Sequence, residues 1–176
     1  MPLRRTAVLA LIFAAFVLTA SPALAQRATV TDPAGDASGP GLDVVSATVR
    51  NRDHAIVARV RFDRAVRGDL IVSVDPRGDR GVRLVSEYRP HRTTRNYVVG
   101  GAFTRRVEGE LRCGGFRVVW IADAEVARMR LPSRCLQDGN YGAVRFAVLT
   151  ERGGDTDYAP ETADGDIGVS GWIPRG

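Results

Sequence analysis

Val45-Ser46-Ala47-Thr48-Val49-Arg50-Asn51-Arg52-Asp53-His54-Ala55-Ile56-Val57-Ala58-Arg59-Val60-Arg61-Phe62 is the stretch that decides the fold. Val45, Ala47 and Val49 alternate with Ser46, Thr48 and Arg50, and Ile56, Ala58, Val60 and Phe62 alternate with Val57, Arg59 and Arg61. A period of two sends successive side chains to opposite faces of a strand. The polar Asn51-Arg52-Asp53 between the two runs predicts a turn, so the stretch reads as a β-hairpin with one buried face.

The same alternation continues along the chain. Leu70, Val72 and Val74 form a third inward set, closed by Asp75-Pro76-Arg77-Gly78-Asp79, and Val82, Leu84 and Ser86 form a fourth. Residues 90–101 read as an Arg-rich loop followed by a short edge strand, and 103–107 and 110–112 as short strands. Phe116, Val118 and Trp120 alternate again, as do Val144, Phe146 and Val148 within 141–150. Residues 124–130 have helix-favouring composition with Asp123 as a cap. Yet Ala127, Met129 and Leu131 alternate with Arg128 and Arg130 up to Pro132, and a strand is the reading adopted. The tail from Glu151 is rich in Gly and Asp until 167–173.

Many short strands with Gly and Pro turns predict an all-β fold, an antiparallel β-sandwich of immunoglobulin-like or jelly-roll-like type. No helical stretch is long enough for a βαβ crossover, which argues against a parallel nucleotide-binding sheet. Asp32-Pro33-Ala34-Gly35-Asp36 returns as Asp75-Pro76-Arg77-Gly78-Asp79, and the echo is read as shared turn chemistry.

The chain opens with Arg4 and Arg5, an apolar run over 7–20, and Ala23-Leu24-Ala25. That order predicts a signal peptide over 1–25 and a single secreted domain over 26–176. The apolar run is shorter than the roughly 20 residues a bilayer span needs, so no membrane span is expected after cleavage. Export into an oxidising compartment predicts that Cys113 and Cys135, the only two cysteines, form a structural disulfide.

The chain has no lysine, so its 25 basic residues are all arginine. Residues 26–134 hold 20 arginines against 13 acids, and residues 135–176 hold 3 against 7. Arg59, Arg61, Arg83, Arg128 and Arg130 fall on expected solvent faces. Two readings follow: a basic face for an acidic wall polymer, or simply the polar residues that outward strand positions require. Nucleic acid is not an expected partner.

Acids gather near both ends of the expected domain, with Asp32, Asp36 and Asp43 early and Asp155, Asp157, Asp164 and Asp166 late, of which Asp155 and Asp157 are the metal candidates. Termini of a compact domain often lie close together. If the two groups meet, they supply hard oxygen ligands of the kind calcium takes; read singly, they are ordinary turn residues. Tyr97, Tyr158 and Trp172 lie at strand ends or in loops and are the candidates for stacking on a glycan, whereas Trp120 reads as core. His54, His91, Glu108 and Glu110 show no spacing that names a reaction.

Asp32-Pro-Ala-Gly-Asp36 with Leu42-Asp43-Val44, Pro132-Ser-Arg-Cys135-Leu136 with Cys113, and Asp157-Tyr-Ala-Pro160 before Trp172 together carry a resemblance. The set resembles small exported β-sandwich proteins of unassigned function from GC-rich Gram-positive bacteria. Its opening is similar to calcium-bearing β-sandwiches of the DOMON and family-nine carbohydrate-binding-module type. That second resemblance implies Asp32, Asp36 and Asp43 as metal positions. The stacking tryptophans of a family-nine sugar clamp are not evident. The expectation is therefore a secreted non-catalytic binding or structural module, calcium-stabilised and directed at cell-envelope glycans. A secreted hydrolase with a loop-assembled site is the alternative.

Overall fold

The computed structural model describes residues 26–104 and 108–176. The expected leader, 1–25, lies outside the described residues, as do residues 105–107 of the expected strand 103–107. Among the described residues, eleven strands form two antiparallel sheets. One holds β1 (Arg27–Thr31), β2 (Asp43–Arg52), β3 (Ala55–Arg64), β8 (Arg117–Ile121) and β9 (Val126–Pro132) in the order β1-β2-β3-β9-β8. The other holds β4 (Gly68–Pro76), β5 (Val82–Tyr88), β6 (Arg95–Gly100), β7 (Glu110–Leu111), β10 (Val144–Glu151) and β11 (Asp155–Ala159) in the order β11-β10-β4-β5-β6-β7. The protein is an all-β sandwich with one disulfide, Cys113–Cys135.

The core is built mainly on the inward positions that the alternation marks, with Leu42, Leu136 and Ile173 added from outside the strands. Ile56, Ala58, Val60 and Phe62 of β3 face Leu70, Val72 and Val74 of β4 and Val144, Phe146 and Val148 of β10 in one buried cluster. Each fully buried Leu, Val or Phe contributes about 1.5–3 kcal/mol relative to exposure. Trp120 ties the sheets together. Its ring stacks on Tyr88 at 3.9 Å and on Phe62 at 5.4 Å, and its Nε1 donates to Ser86 Oγ at 2.9 Å. Ser86 is fully buried, and its hydroxyl also bonds Asn96 Oδ1, which explains a polar residue at an inward position.

Four expectations are corrected. In β2 the pairing slips between Val44 and Ser46, a bulge that turns Val44 into the core and leaves Val45 half-buried. The strand β6 is not at the sheet edge, because the two-residue β7 pairs outside it. Phe103 and Thr104 lie outside any strand. The strand β11 stands in what was read as a Gly- and Asp-rich tail, and β1 is a strand to which no expectation was attached. The 124–130 segment is strand from Val126 on, preceded by a 3-10 turn over Ala122–Ala124.

The echoed pentapeptides do share their turn. Gly35 and Gly78 both sit at positive φ, +84° and +81°, a region that disfavours other residues. The first turn presents Asp32 and Asp36. In the second, Asp75 accepts a hydrogen bond from Arg145 Nε at 2.7 Å.

Candidate functional site

The two ends of the described chain meet. The segment between β1 and β2 lies along β11, where Ser38 N–H donates to the Thr156 carbonyl at 2.7 Å and Val44 N–H donates to Asp157 Oδ2 at 2.6 Å. The approach depends on Gly41, where a Cβ would stand 2.7 Å from Thr156 Oγ1. That hydroxyl is held by Thr150 Oγ1 at 2.7 Å, which in turn donates to the Leu42 carbonyl. Gly41→Ala is expected to destabilise the fold by about 1–3 kcal/mol through overpacking, read by chemical denaturation. An unchanged midpoint would show that the approach is not close enough to matter.

This packing brings Asp32, Asp36 and Asp157 together, with one carboxylate oxygen of each within 4.8 Å of the others. Asp157 is buried, and both its oxygens accept backbone N–H bonds, Oδ2 from Val44 and Oδ1 from Tyr158 at 2.8 Å. Asp32 Oδ2 is buried with no donor bonded to it. Burial, then the charge of Asp157, pushes the Asp32 carboxyl up to about 8. Asp157 itself is pushed up to about 6 by burial, opposed by its N–H bond from Val44. Without a cation, one proton is therefore shared between Asp32 and Asp157 near neutral pH. The arrangement is three hard oxygen donors that repel one another.

The other two expected metal positions stand outside this trio. Asp43 is fully buried, but it serves the loop, with Oδ2 accepting from Gly35 N–H at 3.0 Å between Asp32 and Asp36. Its Oδ1 is buried without a donor. Asp155 is exposed and accepts from the Tyr158 hydroxyl at 2.8 Å, a bond that pushes that hydroxyl up to about 12.

The three aromatic candidates diverge. Tyr158 is engaged by Asp155, and Tyr97 is half-buried beneath the Arg95 guanidinium at 4.4 Å. Trp172 is 39 % exposed, with Arg77 and Arg145 at 4.8 Å and 5.0 Å from its ring centre. It borders an open concavity of about 650 Å³ shared with Asp75 and Asp79. The titratable residues weighed for catalysis lie apart. His54 is on the β2–β3 turn and His91 on the β5–β6 turn of the other sheet, both exposed. His54 borders a depression with Asp53, its chain neighbour. Glu108 pairs with Arg80, and Glu110 with Arg95.

Comparison with family models, with curated proteins and with solved structures found no match.

Proposed function

We propose that this protein is an exported, non-catalytic β-sandwich module, braced by calcium and acting at the cell envelope. The observation that carries the reading is the meeting of Asp32, Asp36 and Asp157 from opposite ends of the described chain. All donors are carboxylate oxygens, which suits calcium rather than a transition metal. A divalent ion there offsets the mutual repulsion and ties the loop before β2 to β11. The buried, donorless Oδ2 of Asp32 and Oδ1 of Asp43 support a site whose electrostatics are incomplete without a cation. Export rests on the leader pattern of residues 1–25, and the disulfide is in keeping with it. Envelope glycan contact is supported by the exposed Trp172 ring beside its two arginines.

The test is a thermal melt in calcium and in chelator. With millimolar affinity typical of extracellular sites, 10 mM calcium at pH 7.5 is expected to raise the midpoint by about 3–8 °C. The shift shrinks at pH 5, because Asp157 as well as Asp32 then holds a proton that calcium must displace. Identical midpoints in calcium and chelator at pH 7.5 would remove the calcium brace.

A further inference from the structure

The outer faces of the two sheets treat their arginines differently. On the six-stranded sheet, Arg145 pairs with Asp75, Arg89 with Asp69 and Glu87, and Arg95 with Glu87 and Glu110. On the five-stranded sheet, Arg27, Arg50, Arg52, Arg59, Arg61, Arg117, Arg128 and Arg130 are all exposed. Among the described residues, none of these eight has an ion pair. One carboxylate, Asp63, occupies an outward position on these five strands, two residues beyond Arg61 on β3.

The register sharpens the contrast. Arg27 lies opposite Arg50, Arg59 opposite Arg128, and Arg117 opposite Arg130. With Val57 between Arg50 and Arg130, one row crosses all five strands as Arg27-Arg50-Val57-Arg130-Arg117. Like charges directly opposite on neighbouring strands destabilise a sheet. A lysine-free composition explains why the cations are arginine. It does not explain their segregation, since the other face, under the same composition, interleaves acids. Three like-charge pairs kept against stability indicate an anion that neutralises them.

We propose that this face binds an acidic polysaccharide, a linear polymer carrying a carboxylate or phosphate on its repeating unit. The guanidinium fork matches both groups. The face is concave: Arg27, Thr29, Thr48, Arg50, Val57, Arg59 and Arg128 line a shallow depression of about 530 Å³. A groove suits a chain better than the plane of a bilayer. The hydroxyls of Thr29 and Thr48, bonded to each other at 2.9 Å, lie in it and offer partners to sugar hydroxyls. No outward position of these strands carries an aromatic ring, so the face lacks the stacking platforms that single-stranded nucleic acid uses. The proposal rests on the exported, non-catalytic reading above and is independent of the calcium brace.

The experiment measures binding of the purified protein to immobilised polygalacturonate and dextran phosphate, the carboxylate and phosphate arms. Neutral dextran, a single-stranded DNA oligonucleotide and phosphatidylglycerol vesicles are run alongside, with and without calcium. Binding to at least one acidic polymer, weakened by salt and absent on dextran, is expected. The variant Arg128→Glu with Arg130→Glu places glutamate opposite Arg59 and Arg117. It should melt higher than the parent, yet bind the acidic polymer at least about tenfold more weakly. Arg80→Glu with Arg92→Glu, on the β4–β5 and β5–β6 turns of the other sheet, changes net charge equally and should bind within about twofold of the parent. Equal loss in the two variants, no binding to either acidic polymer, or tighter binding to DNA or vesicles would each overturn the proposal. The calcium-dependent melt, which reads only the acidic trio, is recorded on the same samples. Failure of the brace is thereby distinguished from failure of the arginine face.

Discussion

Replacing Cys113 and Cys135 together by serine, or reducing the bridge, is expected to lower the melting midpoint by about 6–12 °C. The bridge closes a loop with a sequence separation of 22. Such a loop is worth about 3 kcal/mol in the chain-entropy account, and a domain of this size shifts by roughly 2–4 °C per kcal/mol. The location favours a full effect. The strand β8 is the last of its sheet, and among the described residues its one backbone ladder is with β9. The bridge fastens the segment leading into β8 to the 3-10 turn over Ser133–Cys135 that follows β9. Arg134 reaches the Gly114 carbonyl in the same place, and both half-cystines pack against the core. Calorimetry with and without reductant checks the value. Equal midpoints would mean that the β8–β9 ladder and the Trp120 contacts hold this edge without the bridge.

The second large effect is expected from Asp32→Asn, and its sign depends on pH. In the metal-free protein Asp32 and Asp157 titrate at about 8 and about 6, above the carboxylate value of 3.8. The folded state therefore holds more protons than the unfolded chain between about pH 4 and pH 8. The contribution of this pair to stability is then fully present below pH 4 and is lost as pH rises through the folded values. An asparagine amide at position 32 can donate to Asp157 and carries no charge. The variant should match the parent near pH 4 and exceed it by about 1–3 kcal/mol at pH 8 without metal, the scale of a buried polar group left unmet. It should also lose the calcium response, since one of the three carboxylates is gone. Denaturation series across pH check this, and parallel profiles for parent and variant would refute it.

How much of this was legible before folding varies by element. The β2–β3 hairpin and β9 were readable because Val, Ile, Ala and Met alternate strictly with Arg and Thr there. The strand β11 was not, since Asp155-Thr156-Asp157 has poor strand propensity and no apolar alternation. Its polar groups are buried only because Thr150, Val44 and Tyr158 satisfy them. The bulge at Val44–Ser46 was equally hidden, as a one-residue slip leaves no mark on composition. The acids of the site could be named from the chain. Which three converge depends on Asp43 turning to Gly35 and Asp155 to Tyr158, both tertiary facts. The outward arginines were visible singly, but their facing pairs exist only in the strand register.

Those facing pairs also govern how copies of the molecule meet one another. A bare five-stranded sheet face is a surface on which a second sandwich could stack. Eight exposed arginines, without an ion pair among the described residues, make that approach repulsive at low ionic strength. An anionic chain laid across the face would cancel the repulsion. In the proposed complex, neighbouring copies would then crowd along one polymer, and the arginines would set their spacing as well as their attachment.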